Sequence, residues 1–524
     1  MMRGRSGDIR GWQELVRLVV VLIVCVASSL STVAAQDVAA QLEDTLIKVV
    51  ERAEPAVVSI ARFKPTMAER LEAKHRAFGF GNRDDRPLAE LDVLPNEFGA
   101  GFLISPANSS DRLILTNFHV VRGGPIYPEF RTEDDTELRI HFSDRRGTLG
   151  AIIAADPRSD LAVLRLAWDQ SGIKPTDFPS LNWEAASAPR KGQFVVLLGN
   201  PHAIARDGSA SISWGLVSNL TRQPITLNRG QLTAHEELTN NSMLYRLGVV
   251  MQLDARLNLG TSGGPVLNLK GELIGISTSL AALEGYEQSV GFAIPIDPLT
   301  RRIIRTLLAG QEVEYGMLGV APEEIDGENF LNLNTGLPQR SAASIKSVTP
   351  GSPADSVQIA PGDVIVKVED QPVRSVGDLM RLVGLHPPGS EINVTLWRGG
   401  IRRLDTAKVK LGKWPVRDEE GIIETKPRFA PWRGISIDYP TARDRHRPES
   451  LDFRTVLVTK VAEGTPGHAA RLEPGNFITH VNNTPVQTPA EFYAAVKSVT
   501  GSVVLKLADD NRGVRSGRVV VVRE

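Results

Sequence analysis

The sequence predicts a mainly β chain, with one double β-barrel domain followed by two small domains similar to each other. Three observations carry this. Short apolar runs bounded by glycine, proline and small polar residues recur between residues 56 and 296, and helical periodicity is confined to brief stretches. The 46 glycines and 33 prolines multiply turns and favour short strands over long helices. Beyond residue 314 a segment returns without a gap: Val348-Thr-Pro-Gly-Ser-Pro353, Pro361-Gly-Asp-Val-Ile-Val-Lys-Val368 and Pro372-Val373 reappear as Val461-Ala-Glu-Gly-Thr-Pro466, Pro474-Gly-Asn-Phe-Ile-Thr-His-Val481 and Pro485-Val486.

A chain of 524 residues exceeds one ordinary core and predicts about three domains. Its 42% hydrophobic and 23% charged residues are ordinary for a globular protein. A net charge of -1 gives no bulk electrostatic reason to expect nucleic acid as a partner.

Residues 1–35 read as an export signal. Arg3, Arg5, Arg10 and Arg17 precede the apolar run Leu18–Val26, and Val33-Ala34-Ala35 supplies a cleavage site before Gln36. The run is short for a membrane span, which needs about 20 residues, and an uncleaved anchor is the second reading. Cys25, the only cysteine, lies inside it, so cleavage leaves a thiol-free chain suited to an oxidising, periplasm-like space.

Residues 36–310 form the predicted double-barrel domain. A helical lead-in precedes the β-branched strand Ala56–Ala61, and a charged insertion follows at 64–98. Gly99–Ser105 and Leu113–Val121 read as a hairpin with His119 at the far end of its second strand. Further strands are expected at Glu137–Phe142, Leu149–Ala154, Leu161–Leu166, Gln193–Gly199, Ile212–Ser218, Glu272–Ser277 and Gly291–Ile296. Leu299, Ile303, Ile304 and Leu307 share one face of a closing helix. The repeats occupy 314–412 and 432–524, joined by the charged linker 413–431.

Three side chains carry the chemistry. Asp160 opens an otherwise hydrophobic strand, where an unpaired carboxylate is costly, so it requires a partner. Ser262 sits in Gly260-Thr-Ser-Gly-Gly264, a turn able to present a nucleophile beside converging backbone N–H groups. His119 supplies a base. A histidine on a strand, an aspartate at a strand entrance and a serine in a glycine-rich turn each have a plain structural reading on their own. Together, in the order His119, Asp160, Ser262 within one β-rich domain, they fit a catalytic triad with an oxyanion hole at the Gly260 and Ser262 amides. His235-Glu236-Glu237 lacks the second histidine of a zinc-protease helix, and no metal or cofactor is expected.

The segments Thr116–Val121, Ser159–Leu164 and Gly260–Pro265 resemble the three catalytic motifs of HtrA/Deg serine proteases, and Leu198-Gly-Asn-Pro201 and Gly291–Pro295 resemble other sequences of that family. The repeat is similar to its PDZ domains. The resemblance runs from about residue 40 to the C-terminus and implies a trypsin-like double β-barrel protease domain followed by two small α+β PDZ domains. It further implies serine endopeptidase activity on unfolded or misfolded exported proteins, and assembly into a trimer or a multiple of trimers. The insertion at 64–98 corresponds to one that regulates or assembles the oligomer in that family. A PDZ domain takes an extended peptide onto a sheet edge and captures its terminal carboxylate on backbone amides. The loops matched to that role are Tyr315-Gly316-Met317-Leu318-Gly319 and Trp432-Arg433-Gly434-Ile435. Leu257 is the expected lining residue of the substrate pocket.

The chain departs from the family pattern at Thr261, usually Asn, at Phe118, usually Ala, at Arg256, usually small, and at Asn476, usually Asp. Thr261 and Phe118 keep a second reading open: a chaperone-like or scaffold protein with the same fold and little peptidase activity.

Overall fold

The computed structural model describes residues 12, 17–19, 38–63, 97–106, 109–122, 137–168, 172–185, 187–200, 209–222, 250–257, 260–278, 291–325, 339, 341–398, 403–415, 425–442, 453–497, 499–508 and 518–524. The export signal beyond residues 12 and 17–19, residues 64–96 of the charged insertion, His235–Glu237 and the middle of the linker lie outside them. No helix among the described residues is long and apolar enough to cross a membrane.

After a helix over residues 38–53, two closed six-stranded barrels follow in sequence. The first is built from β1 (Val57–Phe63), β2 (Glu97–Ile104), β3 (Leu113–Asn117), β4 (Glu137–Phe142), β5 (Gly147–Asp156) and β6 (Leu161–Leu166). The second contains β7 (Phe194–Gly199), β8 (Ser211–Arg222), β9 (Val250–Leu253), β10 (Pro265–Leu267), β11 (Leu273–Thr278) and β12 (Gly291–Pro295). Barrel closure removes the unpaired edges that so many short strands would otherwise expose.

The alternation of side chains along each strand explains how the barrels pack. On β6, Ala162 and Leu164 fill the first barrel while Leu161 and Val163 point into a seam. On β7, Val195 and Leu197 fill the second barrel while Val196 and Leu198 enter the same seam. Strands that are apolar on both faces are therefore buried on both faces. The Pro298–Leu308 helix closes the seam with Leu299, Ile303, Ile304 and Leu307, and the Asp297 side chain caps it by accepting from the Thr300 amide.

Two sheets of identical topology complete the chain. The first runs β14 (Val320–Ile325), β15 (Ala342–Val348), β16 (Asp363–Val368), β18 (Glu391–Arg398), β19 (Arg403–Lys410), with β17 (Gln371–Pro372) pairing β16. The second runs β21 (Ile435–Asp438), β22 (Val456–Val461), β23 (Phe477–Val481), β25 (Val503–Leu507), β26 (Val519–Val522), with β24 (Thr484–Pro485) pairing β23. Each has a short helix, Pro353–Ser356 or Pro466–Ala469, and a longer one, Val376–Gly384 or Pro489–Lys497. A two-stranded ladder of β13 (Gly316–Met317) and β20 (Gly412–Lys413) closes the base of the first unit.

The three bodies meet at buried charge. The Lys413 ammonium is wholly buried and pairs with Glu312 at 3.1 Å, Glu314 at 3.1 Å and Asp438 at 3.0 Å. Arg158, also buried, donates to Asp156 at 2.8 Å and to the Val313 carbonyl at 2.5 Å. The Tyr315 hydroxyl donates to the other Asp156 oxygen. Burial alone would depress the Lys413 pKa, yet the three carboxylates around it hold it above the ordinary lysine value, so the lysine keeps its charge.

Candidate active site

β3 ends at Asn117, two residues short of His119, because the chain turns into the brief Phe118–Arg122 helix. The expected strand through Val121 is thus corrected. The cause is one carboxyl-bearing residue: the Phe118 amide and the Asn117 side chain both donate to the Asp160 carbonyl at 3.0 Å, and the His119 amide donates to Asp160 Oδ1 at 3.0 Å. Asp160 itself adopts a left-handed backbone, φ 56°, a conformation aspartate tolerates better than most residues.

Asp160 finds the partner that its place requires. The carboxylate is buried and lies 2.9 Å (Oδ2) and 3.0 Å (Oδ1) from His119 Nδ1. A carboxylate only accepts, so this contact assigns the imidazole proton to Nδ1 and leaves Nε2 as the basic nitrogen. From the second barrel, the Thr278 hydroxyl donates to Asp160 Oδ2 at 3.2 Å. Thr278 ends β11 in a β-branched run, and nothing local in that run distinguishes its hydroxyl from any strand threonine.

Ser262 is buried on a turn that both barrels hold. Its carbonyl accepts from the Ala100 amide of β2 at 2.8 Å, which attaches the turn to the first barrel. Gly99 fits between the Val120 side chain and the Ser262 carbonyl, where a Cβ would lie 2.6 Å and 3.1 Å from them. This places the Ser262 turn against Val120, the residue next to His119. Gly260 is required for shape: its φ is 97°, and a Cβ there would come within 2.3 Å of the Asn200 carbonyl and 2.8 Å of the Phe98 ring. The Thr261 carbonyl accepts from Ser277 Oγ at 2.6 Å and from the Gly264 amide at 3.1 Å. Thr261 rests over Gly199, where a Cβ would meet its Cα at 2.9 Å. The β-branched residue is accommodated because its neighbour has no side chain.

Leu257 packs partly buried against the second barrel's core, beside Gly291, and Arg256 is exposed. In the first repeat, Gly319 has φ 81° and closes on Ser352; in the second, Gly434 has φ 82° and closes on Thr465. These glycines align the turn Met317-Leu318-Gly319-Val320 with Trp432-Arg433-Gly434-Ile435. Tyr315 therefore falls outside that turn, buried against Asp156, and the Gly316 amide donates to the His386 carbonyl at 3.0 Å. Arg433 bridges the Val522 and Gly501 carbonyls at 2.8 Å and 2.6 Å.

Residues 99–276 match the trypsin-like peptidase domain model and residues 316–411 the PDZ domain model. A chain from Hahella chejuensis described as "probable periplasmic serine endoprotease DegP-like" is 28% identical over 463 residues, covering 86% of this chain and 87% of that one. A chain of the same description from Pseudomonas fulva is 29% identical over 405 residues, covering 76% and 74%. The protein belongs to the HtrA/Deg family of trypsin-like serine proteases with PDZ domains. Among solved structures, a serine endoprotease from Yersinia pestis overlaps 70% of this chain and 98% of its own at 23% identity, with a TM-score of 0.42. Membership of the HtrA/Deg family makes the chain a serine endopeptidase.

Proposed function

We propose that His119, Asp160 and Ser262 form the catalytic triad of this endopeptidase. The observation that carries the assignment is the buried Asp160 carboxylate, 2.9 Å from His119 Nδ1 and bonded to Thr278 from the barrel that bears Ser262. Nε2 of His119 takes the Ser262 hydroxyl proton as Oγ attacks the scissile carbonyl, then returns it to the leaving amine. Asp160 holds the tautomer and stabilises the imidazolium that forms. The Gly260 and Ser262 amides receive the oxyanion, and the left-handed Gly260 sets their direction. Leu257 lines the pocket for the side chain before the cut bond.

The physiological reading is removal of unfolded or misfolded proteins after export, in the periplasm, by a homo-oligomer built from trimers. The basic and apolar N-terminal segment and the names of the relatives support the location. The PDZ-type units supply affinity for extended peptide C-termini. The test is degradation of reduced, unfolded casein against a stably folded protein of similar size, with mass determined by light scattering. Selective loss of casein by an assembled species supports the reading. Failure of that species to cleave either protein contradicts it.

A further inference from the structure

The second PDZ-type unit has a strand edge whose amides are bonded within the chain. β21 is an edge strand, and in the PDZ mode of recognition a peptide adds to such an edge alongside the longer helix. Here the edge amides already have partners. Ile437 N–H donates to the hydroxyl of Tyr493, on the Pro489–Lys497 helix, at 3.3 Å. Ile435 N–H donates to the Trp432 carbonyl at 2.9 Å, and Trp432 N–H returns a bond to the Ile435 carbonyl at 2.9 Å. An incoming strand would have to break these bonds before forming its own.

An aromatic side chain from outside the unit lies over this closure. Phe429, in the segment leading into the second unit, stacks on Tyr493 with centroids 4.5 Å apart and rings 13° from parallel. Tyr493 meets Phe492 edge-on at 5.4 Å, and Phe492 meets Trp432 edge-on at 5.8 Å. Stacked and edge-on aromatic pairs at these separations are favourable beyond simple burial. The segment that carries Phe429 is tied elsewhere. The Lys426 amide donates to the Gly310 carbonyl at 2.8 Å, and Arg428 donates to the Glu312 carbonyl at 2.7 Å and pairs with Glu314 at 2.9 Å. The first unit lacks the counterparts: Met380 stands at the position of Tyr493 and offers no hydroxyl, and Pro322 stands at that of Ile437.

We propose that residues 425–432 form a strap that holds the second unit's peptide groove shut, with Phe429 as the plug and Tyr493 as the internal partner of the strand edge. The proposal rests on the PDZ reading above and adds its regulation. Because the strap is anchored on the residues that join the protease domain to the first unit, the groove opens when that junction lets the strap go. Its ligand is then an extended peptide with a free carboxylate and a large apolar last residue, able to replace the Phe429 ring.

The test uses the full-length chain with Ser262→Ala, so that peptide is not consumed, and a decapeptide ending in free-carboxylate phenylalanine and carrying a benzophenone. Crosslinks are mapped by mass spectrometry in this background, in Phe429→Ala and in Tyr493→Phe, which keeps the ring and removes the acceptor for Ile437 N–H. Phe429 is partly exposed, so its loss leaves the fold intact, checked by circular dichroism. The expected result is a rise of about tenfold or more in crosslinks to residues 435–438 and 489–497 when the plug is removed, with those to the first unit unchanged. Crosslinks confined to the first unit in every variant overturn the strap and leave peptide capture standing. Equal crosslinking of the second unit with the strap intact also overturns it. Crosslinks to neither unit overturn both readings.

Discussion

The Tyr315 hydroxyl donates to the Asp156 carboxylate, four residues before Asp160. The same carboxylate accepts from the Ser159 amide at 3.1 Å and from Arg158 at 2.8 Å, so one buried group shapes the turn that delivers Asp160 to His119. The turn that carries Asp160 is thus bonded to a residue from the far side of the Pro298–Leu308 helix, next to the first PDZ-type unit.

Tyr315→Phe should test what this bond does. It removes one donor from a buried carboxylate at almost constant volume, a change worth about 1–3 kcal/mol. The expected outcome is a lower midpoint of unfolding together with a reduced kcat at little-changed KM. A fall in stability with kcat intact would show that the hydroxyl supports packing and not the Asp160 turn.

Lys413→Met should be more damaging. It leaves Glu312, Glu314 and Asp438 facing one another in a buried site, and breaking such a cluster by removing one partner costs about 3–5 kcal/mol. The lysine's pKa is raised in the folded protein by its carboxylates. Its contribution is therefore complete below the unfolded lysine value of about 10.4 and is lost as pH rises through the higher folded value. Denaturant titrations of wild type and variant should differ near neutral pH and converge as pH rises through that alkaline range.

Thr278→Val removes a hydroxyl that bonds Asp160 while preserving the β-branched shape. A hydrogen bond to a charged group of this kind justifies an expected drop of about tenfold in kcat/KM. Folding stability should change little, measured by thermal unfolding. No change in rate would remove Thr278 from the positioning of the aspartate.

His141, on β4, has a buried Nδ1 without a hydrogen bond, and burial followed by the nearby Arg139 charge lowers its pKa. The unfolded chain then binds the proton more readily. Its contribution to stability is complete above the unfolded histidine value of about 6.5 and falls as pH drops below it. Urea midpoints between pH 7.5 and 5.5 should decline, and His141→Asn should decline less.

Much of this was legible in the sequence, for physical reasons that differ by element. Strands apolar on both faces, such as Leu161–Leu166, announce burial between a barrel interior and a seam. The helix closing the seam announces itself through Leu299, Ile303, Ile304 and Leu307. Asp160 announced a missing partner, and that partner is His119. The strand ending at Asn117 was not legible, because Leu113–Val121 holds no glycine or proline to break its β-type pattern, and the bonds from Asp160 stop it. Thr278 was hidden for a similar reason, since a threonine at a strand end carries no mark of the carboxylate it meets from another barrel. Tyr315 reads as part of the expected peptide-binding loop because it adjoins Gly316–Gly319; its contact with Asp156 crosses 159 residues of sequence.

The central claim is that Ser262 is a nucleophile activated by His119 and held by Asp160. Stoichiometric labelling with a fluorophosphonate, followed by mass spectrometry of the modified peptide, tests it most directly. The account predicts one adduct per chain at Ser262 in the wild type, none in Ser262→Ala, and labelling slowed by about 10⁴-fold in Asp160→Asn. A folded wild-type protein that takes no label at Ser262, or one labelled equally fast without the Asp160 carboxylate, would contradict it.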